Sequence, residues 1–187
     1  MHDTSSAVTA WSNFYVIVGS SAAALTGLLF IVITLIAGDR SRSTKEGIGT
    51  YTTPTIVHFA AALVIAATLC APWRSLVGAA AAVALVGLFG VLYVLRNVIR
   101  QARQTRYTPD LDDWIWYGIL PLIAYATVLV GALLVPAFPA NTLFAVGGAT
   151  MMLILIGIHT AWDVVTFIAT GRLEEIREPG DDEQRTS

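Results

Sequence analysis

The chain has 187 residues, of which 56% are hydrophobic and 13% charged, with a formal net charge of −2 and a mean hydropathy of +0.69. Soluble domains carry about 25% charged residues, so half that share excludes a soluble enzyme, a secreted module and a nucleic-acid binder. The near-balanced charge supplies no field that would steer nucleic acid or acidic substrates, and a single cysteine, Cys70, excludes an intrachain disulfide framework or thiolate cluster.

Five apolar runs follow one another, at 14–37, 54–71, 75–95, 114–135 and 143–170, and Asp163 is the one charge inside them. At about 1.5 Å per residue each comes close to or exceeds a hydrocarbon core of about 30 Å. The predicted fold is therefore all-α, an integral membrane bundle of five transmembrane helices within residues 1–170. The first run reads as a retained helix, because no Lys or Arg precedes it and Asp39-Arg40 ends it with charge rather than with a small-residue cleavage site. Thr53-Pro54 and Thr108-Pro109 each set a capping hydroxyl before a proline, the expected starts of helices 2 and 4. Asp110, Asp112 and Asp113 then fall in the first turn of helix 4, where the helix dipole favours them. Pro72 is expected to close one tight hairpin, and Pro136 with Pro139 the other. Trp11, Tyr15 and Trp73 on one side, and Trp114, Trp116 and Tyr117 on the other, are expected to form interfacial aromatic belts. Cys70 reads as a small core residue. Residues 171–187 form an acidic tail, expected to be partly disordered past Pro179.

All eleven basic residues lie between or after these runs. Five crossings would collect Arg40, Arg42, Lys45, Arg96, Arg100, Arg103, Arg106, Arg172, Arg177 and Arg185 on one side and leave Arg74 alone on the other. By the positive-inside bias the populated side is cytoplasmic, so the expected orientation is N-out and C-in with a cytoplasmic tail, and an asymmetry this strong excludes dual insertion.

Gly19, Ala23 and Gly27 recur at intervals of four, a stripe of small residues that lets another helix approach closely, either within the chain or at a seam between protomers. Helix 3 carries a looser version in Gly78-Ala82 and Ala79-Val83-Gly87. Arg96, Arg100 and Arg103 extend helix 3 as a basic face, readable as a topology determinant or as a contact with anionic lipid head groups.

Ionisable groups inside hydrocarbon are expensive and tend to be kept for a reason. There are three, His58, His159 and Asp163, at roughly 6, 16 and 10 Å from the inner boundary at the helical rise. His159 and Asp163 are four apart on one helix face, which Thr166 extends, and the face is expected to close on His58. Tyr125 and Thr26 lie level with His159. Three readings of the cluster remain open: a hydrogen-bonded structural pair, a proton or ion conduit lined by Thr26, Tyr125, His159 and Asp163, and a metal or haem site on His58, His159 and Asp163. A Ser-His pair or a His-Glu-x-x-His helix, either of which would suggest hydrolysis, is not evident.

Trp11-Ser12-Asn13-Phe14-Tyr15, the segment from Gly19 to Phe30, and His159-Thr160-Ala161-Trp162-Asp163 together resemble a group of uncharacterised small bacterial multi-helix inner-membrane proteins, some of them labelled modulators of an ATP-dependent membrane protease. The resemblance covers helices 1 and 5, implies a bacterial inner membrane, and brings no site residues with it. The function expected is that of a non-enzymatic scaffold or regulator, with lipid and either further copies of itself or another membrane protein as partners, and with no part for nucleic acid.

Overall fold

An apolar run offers its peptide groups no polar side chains, so each N–H and C=O is satisfied most simply within its own helix. The computed structural model describes residues 2–37, 45–73, 75–102, 111–135 and 137–177. Its elements are α1 (His2–Ala37), α2 (Lys45–Cys70), α3 (Leu76–Ala102), α4 (Leu111–Trp114), a π-helical turn (Ile115–Ile119), α5 (Leu120–Leu134) and α6 (Pro139–Arg177), with no strand among the described residues. Five segments are long and apolar enough to cross a membrane: Trp11–Thr34, Thr53–Cys70, Leu76–Ala102, Ile115–Leu134 and Asn141–Thr166.

The helices outrun the apolar segments. α1 begins at His2 rather than at 14, α2 at Lys45 rather than at 54, and α6 runs from Pro139 to Arg177, taking in the first residues of the expected tail. Hydrophobicity marks the length matched to hydrocarbon, whereas extending an existing helix adds a hydrogen bond for each residue fixed and needs no apolar side chain. Pro54 accordingly sits inside α2 instead of starting it, giving up one backbone hydrogen bond near the end of the span. The expectations for Arg40, Arg42, Arg74, Arg103, Arg106, Thr108, Pro109, Asp110, Pro136 and residues 178–187 lie outside the described residues.

Two short turns set the hairpins. At the first, Ser75 caps α3, its Oγ accepting from Val77 N–H at 3.2 Å, and Trp73 donates its indole N–H to the Thr68 carbonyl at 2.6 Å. At the second, Thr142 N–H reaches the Phe138 carbonyl at 3.1 Å, which leaves Pro139 at the start of α6, where its missing N–H has no intrahelical role.

α6 lies between two packed helix pairs, α1 with α2 on one flank and α3 with α5 on the other, and it packs most extensively against α2 and α5. The seams close where a side chain is absent. A methyl group on Gly87 of α3 would lie 2.7 Å from the Leu129 nitrogen of α5, one on Gly131 2.8 Å from Val146 of α6, and one on Gly157 2.5 Å from the Phe59 ring of α2. Such approaches allow the dispersion contacts that hold helices together when lipid is as apolar as the core. The looser line Ala79-Val83-Gly87 is buried as expected.

The α1 stripe divides. Gly19 meets Ala66 of α2, where a methyl group would fall 3.1 Å from its Cβ, but Ala23 is exposed and Gly27 has nothing within 4 Å. Tyr15, Val18, Ala22 and Leu29 form the packed line instead. Each step of four advances about 40° beyond a full turn, so a strict i, i+4, i+8 row winds off the seam that alternating steps of three and four would keep. Gly19→Leu should therefore lower stability in detergent by about 1–3 kcal/mol, while Gly27→Leu stays within about 0.5 kcal/mol. Equal losses in thermal unfolding would contradict this division.

Two aromatic and thiol expectations change. Tyr15 is no belt residue: it is buried and its hydroxyl donates to the Leu143 carbonyl at 3.4 Å. Trp11 packs beside it, edge to face with Phe14 and with Phe144 of α6 at centroid distances of 5.3 and 5.6 Å, so this end of the bundle is tied by rings rather than fringed by them. Cys70, the last residue of α2, is exposed rather than in the core.

Candidate functional site

Two polar clusters hold the ionisable candidates of the spans, one sealed and one facing outward. In the sealed cluster, α2 presents Thr55 and His58 on one face, three residues apart. His58 Nδ1 and the Tyr125 hydroxyl of α5 are 3.0 Å apart, and the two threonine Oγ1 atoms of Thr55 and Thr160 are 2.8 Å apart across the α2–α6 seam. Thr55, Tyr125 and Thr160 are wholly buried and His58 nearly so. The Tyr125 ring fits over Gly90 of α3, which leaves room that any side chain would fill. Two buried hydrogen bonds thus tie α2 to α5 and to α6, and the desolvation of imidazole and phenol is answered by each other.

The outward cluster stands on α6. His159 Nε2 and Asp163 Oδ2 are 3.5 Å apart, with side chains 36% and 42% exposed. The Trp116 ring stacks on the imidazole at a centroid distance of 3.7 Å and an interplanar angle of 19°. Trp116 reaches it from the π-helical turn, where Leu120 N–H bonds the Ile115 carbonyl five residues back. Pro121 follows directly. Its ring would clash with the carbonyl four residues earlier and it has no N–H to offer, and one widened turn relieves both defects.

The expected convergence of His58, His159 and Asp163 does not occur. His58 is sealed against Tyr125, whereas Asp163 pairs with His159 on a face whose outer continuation, Gly148, Met152 and Leu155, is also exposed. The face meets the surroundings instead of closing on α2. Among the described residues no three His, Cys, Asp or Glu side chains gather in a metal-binding group, so the site on His58, His159 and Asp163 is not assembled within the chain. Nor do Thr26, Tyr125, His159 and Asp163 line a common path. Thr26 Oγ1 donates to the Ala22 carbonyl of its own helix at 2.8 Å, and Tyr125 serves His58. Thr166 likewise turns back to the Trp162 and Asp163 carbonyls.

Arg96 and Arg100 are exposed near the end of α3, one turn apart, as a basic face requires; Arg103 lies outside the described residues. Thr55 and Thr160 escaped sequence reading for a physical reason. Threonine in a helix can always bond the carbonyl four residues back, as Thr26, Thr127 and Thr150 do, so the residue type does not announce a partner on another helix. Where four helices meet near the short turns, a small cleft is lined only by apolar residues, among them Leu69, Ala80, Val83, Ala132 and Val146.

Comparison with protein-family models, with curated proteins and with solved structures gives no match.

Proposed function

We propose that this chain is a multi-pass protein of a bacterial inner membrane, N-out and C-in, and that it works as a non-enzymatic scaffold or regulator by associating through the outward face of α6 with a second copy or with another membrane protein. One observation carries the reading. His159 and Asp163 are more than a third exposed on a helix whose neighbouring outward residues are apolar, Leu155 at 51% and Trp162 at 66%. An ionisable group facing lipid near the centre of a span costs about 2.5–3.5 kcal/mol on insertion scales, less toward its edge, and covering it with protein relieves that cost. Gly148, on the same face with nothing within 4 Å, offers a second helix a close approach.

Two measurements test this. Reporter fusions after Gly47 and Arg103 should behave as cytoplasmic and one after Pro139 as external, because ten of the eleven basic residues belong to the first side; the reverse pattern would overturn the orientation. In mild detergent the protein should run larger than one chain, and Gly148→Trp should shift it toward the monomer without changing its unfolding temperature. A wild-type monomer would overturn the association.

A further inference from the structure

We propose that His159 and Asp163 are half of a binding site for a divalent transition cation, zinc-like in its ligand preference, and that the same two residues of a second copy complete it. The inference rests on the association through α6 and deepens it by naming what the seam holds.

The distance is the starting point. At 3.5 Å, His159 Nε2 and Asp163 Oδ2 are longer apart than a well-made charge-assisted hydrogen bond of about 2.7–2.9 Å. Two ligands of one tetrahedral zinc, at about 2.0–2.1 Å from the metal, stand about 3.3–3.4 Å apart, so the pair already has the bite of a chelate. An imidazole and a carboxylate are both first-rank ligands for such a cation, and their spacing of four residues on one helix aims them at one point. Trp116 lies flat on the imidazole at 3.7 Å, holding the ring plane while leaving the Nε2 edge toward Asp163. Positioning of this kind is what a ligand set needs before the metal arrives.

Among the described residues no third His, Cys, Asp or Glu joins the pair, and the proposal takes the remaining ligands from a second copy. A two-fold axis beside α6 supplies them most economically. It brings a second imidazole and a second carboxylate to the same point, closing a four-ligand shell, and an isologous contact is the commonest symmetry of homodimers. Asp163 is three residues from Thr166, the end of the span, so a cation has a short path from the aqueous side.

The test uses the full chain in mild detergent, with zinc alone as the probe, followed by elemental analysis and light-scattering mass with and without a chelator. The expected result is one zinc per two chains, a dimer that chelation shifts toward monomer, and zinc affinity at least tenfold weaker in both H159A and D163N. D163N keeps the shape of the side chain, and an unchanged unfolding temperature shows that the loss is not one of folding. A dimer that binds no zinc and ignores the chelator would overturn the cation site while leaving the association through α6 intact. A monomer that binds no zinc would overturn both. One zinc per chain on a monomer, or undiminished binding by the two variants, would also refute a site shared between copies.

Discussion

Gly90→Leu should be one of the two most damaging single changes in the described bundle, lowering stability by about 3 kcal/mol and leaving little folded protein to recover from detergent. Any Cβ at this position falls within the Tyr125 ring. The ring cannot simply retreat, because it is wholly buried and its hydroxyl is held by His58. The substitution therefore forces α3 and α5 apart at the seam that Gly87 also closes, and it breaks the α2–α5 hydrogen bond in the same movement. Overpacking alone costs about 1–3 kcal/mol, and the lost buried hydrogen bond adds to it. Thermal unfolding of Gly90→Leu beside the exposed substitution Gly27→Leu checks the claim, since only the first should unfold early.

Tyr125→Ala is the other, at about 3–5 kcal/mol, because it empties the slot over Gly90 and leaves a cavity among close-packed helices. Tyr125→Phe keeps the ring and removes the hydroxyl, so it isolates the bond to His58, worth about 0.6 kcal/mol on average and at most about 1.7 kcal/mol for hydrogen bonds between membrane helices. A double-mutant cycle of Tyr125→Phe with His58→Ala should show coupling of at least about 0.5 kcal/mol, whereas His58→Ala with Asp163→Asn should be additive. Coupling in the second cycle and none in the first would restore the convergence of His58 on Asp163 that the sequence suggests and the packing does not display.

What could be read from the residues follows the physics of each feature. Five helices long and apolar enough to cross a membrane were legible because an apolar run of twenty or so residues is a one-dimensional signal that needs no knowledge of neighbours. The shared face of His159 and Asp163 was legible for a similar reason, since helical spacing fixes it locally. The direction of that face was not. When lipid replaces water, apolar residues point outward as readily as inward, so an apolar face no longer marks the core as it does in soluble proteins, and His58 found Tyr125 instead of Asp163. The glycines repeat the lesson. Gly19, Ala23 and Gly27 make the tidier pattern, but Gly87, Gly90, Gly131 and Gly157 make the closer contacts, because a close approach depends on what the partner helix presents. The π-helical turn was hidden for yet another reason: Pro121 announces a defect in the hydrogen-bond ladder but not which of several remedies the helix adopts.

Association through the outward face of α6 is tested most directly by thiol crosslinking in native membranes. In a Cys70→Ala background, Leu155→Cys places a thiol on that face, 51% exposed in the single chain, and Leu85→Cys places one on α3, 66% exposed. Association through α6 should give a covalent adduct of two chains from Leu155→Cys, lost when Gly148→Trp is added, and none from Leu85→Cys. Monomer alone from Leu155→Cys, or equal adduct from both positions, would contradict it.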